Sequence, residues 1–293
     1  MTTGVAADAY AGAVRPDPLR PATDELLIAL DVDGTILHHD GHLSPRVAEA
    51  VRECDRAGAR VVIATGRPIA ATLPILAQLG LDTEGRYAVC SNGAITITVD
   101  PGSPEGFQLV EAVTFDPRPA VELLTAELPA AMIAVETAGV GFKASAPFPA
   151  GELTGQIHVV GFDELVSEPA TRVTFRDPNG TSEDFIDLVE RIGLHGVNYA
   201  VGYTAWLDLT PEGVSKMSAL EQVRRRLRVE PSCTVAVGDQ RNDLEMLRWA
   251  ADGVAMGQAP AEVAAAADRV TGPVEEDGLA QVLEGILAGR DAA

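Results

Sequence analysis

Apolar residues come along this chain in short blocks that break off at polar, chemically capable positions. Residues 25–30 (ELLIAL) stop at Asp31, and 60–64 (RVVIA) stop at Thr65-Gly66-Arg67. Residues 87–90 end before Ser91-Asn92-Gly93, and 233–237 (CTVAV) stop at Gly238-Asp239. Unbroken apolar runs of this length predict strands buried on both faces, as in a parallel sheet. Helical patterns lie between them. Ser44 is placed to cap a helix, Pro45 suits its first turn, Val47, Val51 and Cys54 share a face, and Gly58 is placed to end it. A second helix runs to about Leu79 with Gly80 behind it, and further helices are expected over 215–227 and 243–251.

This alternation predicts an α/β protein with a Rossmann-like parallel sheet. Ligands of such sheets bind beyond the carboxyl ends of the strands, so Asp31, Asp33, Thr65 and Asp239 are expected in one crevice. The middle of the chain reads differently. Strand-like stretches at 94–99, 107–115, 132–137, 140–145, 171–176 and 197–209 are interrupted by helix-like stretches at 118–128 and 181–192. They predict an inserted α+β domain with an antiparallel sheet. The expected division is a disordered tail at 1–23, a discontinuous core at 24–92 and 209–293, and the insertion at 93–208.

Charge narrows the partners. The formal net charge is −21, which argues against nucleic acid or an anionic membrane as the main partner. An anionic substrate must then find a local positive site. Only two lysines occur, Lys143 and Lys216, against twenty arginines, so each lysine draws notice. Cys54, Cys90 and Cys233 are far apart and form no CxxC, and the five histidines lack metal spacing. That excludes a zinc site or disulfide framework and suits a reducing compartment. With no long apolar run and no signal-like start, a cytoplasmic protein is expected, as a monomer or homodimer.

The chemistry concentrates at the strand ends. Asp31 and Asp33 lie two apart, so an extended chain turns both carboxylates to one side. Their repulsion invites a divalent cation, and hard oxygen donors beside a phosphate suit Mg²⁺. One carboxylate can attack phosphorus while the other moves the proton. The plain alternative is a pair of solvated turn aspartates. Gly238–Asp243 (GDQRND) adds Asp239, Asn242 and Asp243, which read either as more of the same site or as a helix-capping turn. Thr65 and Gly66 precede a helix whose N–H groups can hold phosphate oxygens. Arg67 reads equally as a surface residue. Lys216 opens a helix, where a cation opposes the macrodipole, so a specific role such as neutralising phosphate charge is expected of it.

In order and together, these segments resemble the haloacid dehalogenase superfamily, within it the Cof-like phosphatases with a type IIB cap. DVDGT at 31–35, TGR at 65–67, GVSK at 213–216 and GDQRND at 238–243 are similar to the four family motifs. SNGA at 91–94, AMGQA at 255–259 and EDG at 276–278 look like further signatures. The resemblance implies Asp31 as nucleophile and Asp33 as general acid/base. It implies Mg²⁺ held by Asp31, the Asp33 backbone carbonyl and Asp239, with Asp243 close behind. It implies phosphate contacts from Thr65, Gly66, Lys216 and Asn242. The implied reaction is hydrolysis of a small phosphorylated metabolite, such as a sugar phosphate, through an aspartyl-phosphate. A phosphomutase and a non-enzymatic, receiver-like phosphoryl-binding module are the other readings. Arg67, Asn92, Phe142, Lys143 and Trp206 are the expected specificity residues, with Phe142 and Trp206 also readable as core.

Overall fold

The computed structural model describes residues 25–192, 197–201 and 206–289. The expected tail at 1–23 and His195 lie outside the described residues. In chain order the elements are β1 (Leu27–Leu30), α1 (Pro45–Arg56), β2 (Arg60–Ala64), α2 (Ile69–Leu79), β3 (Tyr87–Cys90), β4 (Ile95–Val99) and β5 (Phe107–Ala112). Then come α3 (Arg118–Glu127), β6 (Met132–Thr137), β7 (Gly141–Ala144), β8 (Gln156–Val159), α4 (Phe162–Leu165), β9 (Val173–Arg176), α5 (Ser182–Ile192), β10 (Val197–Val201) and β11 (Trp206–Pro211). The chain closes with α6 (Lys216–Leu227), β12 (Thr234–Gly238), α7 (Leu244–Trp249), β13 (Asp252–Ala255), α8 (Ala261–Ala264), β14 (Arg269–Val270) and α9 (Gly278–Ala288).

Among the described residues, eight strands form one sheet in the order β14-β13-β12-β1-β2-β3-β4-β5. Pairing is parallel from β14 through β3. Its central strands carry two cores at alternate positions. Ile28, Leu30, Val61 and Ile63 pack with α1, α2 and α9, while Leu27, Ala29, Val62 and Ala236 pack with α6 and α7. That is why these runs are apolar without a break. In α1, Ser44 Oγ accepts the Arg46 N–H at 3.3 Å and Pro45 occupies the first turn, as expected from the sequence.

Six strands of the described residues form a second sheet, β10-β11-β9-β6-β7-β8. The expected boundary at 93 needs correction, because β4 and β5 belong to the first sheet. β4 pairs antiparallel with β3, and β5 with β4. Ile95, Ile97 and Val99 continue the core under α2, which a strand outside the sheet would leave exposed. The second sheet therefore starts beyond Ala112. The expected single strand at 197–209 is a hairpin, β10 against β11, and residues 202–205 lie outside the described residues. β8 and α4 are additions to the expected elements; β8 is a fully exposed edge strand whose pattern carries no buried face.

One face of this second sheet packs on α3 and α5 through Ile133, Val135, Val173, Phe175, Leu207 and Leu209. The intervening residues face the other way, towards the carboxyl ends of the large sheet. No helix among the described residues is long and apolar enough to cross a membrane.

Candidate active site

Asp31 follows β1 directly, and its backbone N–H donates to the Val237 carbonyl at 3.0 Å. Lys216 comes from the start of α6. Ser215 Oγ accepts the Ser218 N–H, and Ser218 Oγ accepts the Ser215 N–H at 2.9 Å, so a reciprocal cap fixes the helix one residue before the lysine. The Lys216 side chain has no exposed surface. Its Nζ donates to Asp31 Oδ1 at 2.5 Å and to Asp243 Oδ1 at 2.7 Å. Burial opposes the charge on this amine, but Asp243 and Asp31 outweigh it and hold its pKa above the ordinary lysine value. The lysine is a buried cation with two carboxylate partners, which answers why a cation stands at a helix start.

Asp31, Asp239 and Asp243 are buried, and one carboxylate oxygen from each lies within 4.8 Å of the others. Burial first, then Asp243 and Asp239, push the Asp31 carboxyl well above the usual carboxylate range, against the pull of Lys216. Were all three ionised, the carboxylates would outnumber the one ammonium by two negative charges in a dry place, and that repulsion is part of what raises the Asp31 carboxyl. A divalent, oxygen-seeking cation fits that excess. The backbone is shaped around the carboxylates too. A Cβ on Gly34 would stand 2.3 Å from Asp239 Oδ2, and one on Gly238 2.5 Å from Asp243 Cγ. Gly34 also needs its φ of +83°.

The carboxylates differ in what already holds them. Asp243 Oδ1 accepts from Lys216, and its Oδ2 accepts the N–H groups of Asp239 and Gln240, each at 3.0 Å. Its lone pairs are thus largely committed to positioning Lys216 and the 239–240 backbone. Gln258 Nε2 donates to the Gly34 carbonyl at 2.6 Å and lies 3.4 Å from Asp239 Oδ2. The sequence marks Gln258 only as part of the AMGQA signature; its amide ties that segment to the DVDGT turn.

Asp33 does not share the environment of Asp31. Its side chain is half-exposed and takes a two-pronged contact from Arg67, Nε to Oδ2 at 2.9 Å and Nη2 to Oδ1 at 2.5 Å. This hydrogen bonding, against partial burial, raises the Arg67 pKa. Arg67 is therefore a partner of Asp33 and not a free surface residue. Thr65 is fully buried and its Oγ1 accepts the Arg67 N–H at 3.0 Å. Asn242 Nδ2 donates to Asn92 Oδ1 at 2.9 Å. Asn92 sits in a turn, Ser91-Asn92-Gly93, in which all three residues have positive φ.

These groups open on a cavity of about 400 Å³ between the two sheets. Asp31, Asp33, Gly66, Arg67, Asn92 and Asn242 line the large-sheet side; Phe142, Glu152, Arg172, Trp206 and Asp208 line the other. Of the expected specificity residues, Lys143 is not among them. It neighbours Phe142 on β7 and so points to the opposite face, where Nζ meets Glu168 at 3.5 Å. Sequence reasoning misses Arg172, Asp208 and Glu152. For Arg172 and Asp208 the signal is alternation along β9 and β11, where polar residues at every second position resemble a solvent-facing side; Glu152 lies in the turn between β7 and β8 and has no such signal.

A family model for haloacid dehalogenase-like hydrolases matches residues 28–125 and 155–283, and the chain belongs to that family. It is a phosphoric monoester hydrolase by the company it keeps in sequence and structure. It is 28% identical over 295 residues to phosphatase YwpJ of Bacillus subtilis, covering 89% of this chain and 99% of that one. It is 26% identical over 264 residues to a phosphoglycolate phosphatase of Natronomonas pharaonis, covering 88% and 96%. The solved structure of a subclass IIB sugar phosphatase superposes with a TM-score of 0.74 at 26% identity, over 89% of this chain and 99% of that one.

Proposed function

We propose that this phosphatase hydrolyses a small phosphorylated metabolite, of the sugar phosphate kind, by way of an aspartyl-phosphate on Asp31. The observation that carries the reading is the buried Lys216 bridge between Asp31 and Asp243, with Asp239 alongside. Lys216 holds Oδ1 of Asp31, so Oδ2 is the oxygen that attacks phosphorus. The ammonium also opposes the charge brought in by the phosphate, which the acidic body otherwise repels.

Asp33 lies at the pocket wall, where it donates a proton to the leaving oxygen and later takes one from the attacking water. Both of its oxygens take hydrogen bonds from Arg67 in this structure, so one of these contacts opens before Asp33 carries the proton that it donates. Thr65, Gly66 and Asn242 supply donors to the phosphoryl oxygens. Asp31, Asp239 and the backbone carbonyl of Asp33 would hold Mg²⁺, with Asp243 behind them. When bound, that ion supplies charge neutralisation at the phosphoryl group. The leaving group rests against Trp206 and Phe142, with Asp208 and Glu152 to accept its hydroxyls.

The test is phosphate release by the purified full chain with Mg²⁺ from a panel of hexose phosphates, pentose phosphates, phosphoglycolate and nucleotides. The reading expects turnover that falls by about 10³-fold or more in Asp31→Asn, with the circular dichroism spectrum unchanged. An Asp31→Asn protein as active as wild type would defeat it.

A further inference from the structure

Arg172 is a buried arginine that the reaction scheme above does not use. It stands just before β9, and its side chain is 5% exposed. Its Nη1 donates to the Gly66 carbonyl at 2.6 Å, across the gap between the two sheets. Its Nε lies 3.3 Å from Glu136 Oε2, its Nη1 3.6 Å from Asp208 Oδ2, and its guanidinium 5.4 Å from the centre of the Phe142 ring. Burial works against this charge, yet Glu136 and Asp208 more than hold it, so it stays a cation.

Its two carboxylate partners are themselves placed. Glu136 accepts from Ser91 Oγ at 2.9 Å and from Thr171 Oγ1 at 3.3 Å. Asp208 accepts from Thr174 Oγ1 at 2.6 Å and from Trp206 Nε1 at 3.1 Å. A buried ionic cluster like this rarely improves stability over an apolar one, which points to a role in position.

That role is legible in the Gly66–Arg67 peptide. Its carbonyl oxygen is held by Arg172, and its N–H is held by Thr65 Oγ1. With one lone pair of the Thr65 hydroxyl committed to that N–H, the hydroxyl hydrogen is directed elsewhere. The guanidinium thus fixes the peptide plane that orients Thr65. Through Asp208 and Trp206 the same guanidinium touches the wall where the leaving group rests.

We propose that Arg172 is a positioning residue for phosphoryl transfer, tying the phosphate-binding loop at Thr65–Arg67 to the leaving-group wall at Trp206 and Asp208. The proposal rests on the phosphatase reading above. Occupation of the wall then sets the phosphate loop, and the binding energy of the leaving group is expressed in turnover rather than in affinity.

The test compares wild type, Arg172→Lys and Arg172→Met with 4-nitrophenyl phosphate and a hexose 6-phosphate as probes. Arg172→Met is expected to lower kcat by about 10- to 100-fold with KM within threefold. Arg172→Lys, which keeps the cation but loses the planar fork, is expected to recover between about a third and two thirds of that loss on a logarithmic scale. Amide hydrogen exchange at Arg67 is read in parallel; it is expected to quicken by at least tenfold in Arg172→Met and less in Arg172→Lys. A kcat within twofold of wild type in Arg172→Met overturns the proposal, as does a loss confined to KM or a lysine variant no better than methionine. If Arg172→Met does not fold, Arg172→Lys decides alone: unchanged kcat and unchanged Arg67 exchange count against the proposal. If wild type releases phosphate from neither probe, the kinetics are read with a substrate found in the panel above; failure on the whole panel counts against the phosphatase reading alone, and Arg67 exchange still decides whether Arg172 holds the loop.

Discussion

A side chain on Gly93 would run into Ser215: a Cβ there would stand 2.1 Å from the Ser215 carbonyl oxygen and 3.1 Å from the Lys216 nitrogen. The turn after β3 and the start of α6 are thus packed backbone to backbone, and the position of the buried lysine depends on that approach. Gly41 makes a useful comparison, since it has a φ of +83° but nothing lies within 4 Å of where its Cβ would stand. Gly41→Ala is expected to cost about 1–2 kcal/mol from backbone strain alone. Gly93→Ala adds overlap with immovable backbone and is expected to cost about 2 kcal/mol more. Urea midpoints measure both, and equal costs would contradict this packing.

Lys216 offers a second prediction. Lys216→Met leaves Asp31 and Asp243 facing each other without their shared cation. The expected loss of stability is about 3–5 kcal/mol. In an Asp31→Asn background the same substitution is expected to cost less, because one of the stranded charges has gone. A double-mutant cycle by urea unfolding reads the difference.

Metal binding is testable without turnover. With the ion bound only to the folded state, Mg²⁺ at a hundredfold excess over its Kd is expected to stabilise the protein by about 2.7 kcal/mol. The rise in Tm is expected to vanish in Asp239→Asn, whose carboxylate belongs to the cluster but not to the Lys216 bridge. EDTA is expected to return the wild-type Tm to its metal-free value.

A pH dependence follows from Glu221, which links α6 to α7. It accepts from Arg224 Nε and Nη2 at 2.8 Å, from Arg225 Nε at 2.6 Å and from Trp249 Nε1 at 3.0 Å. The Arg224 hydrogen bonds, foremost, hold its carboxyl well below the usual range. Its folded pKa is lower than its unfolded one, so its stabilisation is present above the unfolded value of about 4.3 and is lost as pH falls below it. Glu221→Gln is expected to cost about 1–2 kcal/mol at pH 7 and little near pH 2. A cost that stayed constant over that range would refute the assignment.

The four central strands of the large sheet, β12, β1, β2 and β3, are legible in the sequence because each is an apolar run that breaks at a polar, chemically capable residue, whereas β5 and β14 are largely exposed and carry no such run. Asp31, Asp239, Thr65 and Lys216 stand out in that pattern, and the structure places Asp31, Asp239 and Lys216 in one buried cluster. The difference between Asp31 and Asp33 is not legible there, since it comes from Lys216 on one and Arg67 on the other, residues distant in the chain. The pocket wall is also hidden. A polar residue at every second position of β9 or β11 reads as a wet face, and only the tertiary arrangement turns that face inward. Lys143 misleads for the related reason that a one-residue step along β7 reverses the side-chain direction.

That alternation in β9 and β11 has an evolutionary consequence. Val173, Phe175, Leu207 and Leu209 secure the second sheet to its helices, while Arg172, Thr174, Trp206 and Asp208 lie on the cavity side. Two sets of positions on the same strands therefore answer to separate selective pressures. Arg172 and Asp208 are tied to the phosphate loop, which leaves Trp206 as the cavity-side position of these strands where substrate preference can drift while the helix-facing set keeps the fold intact.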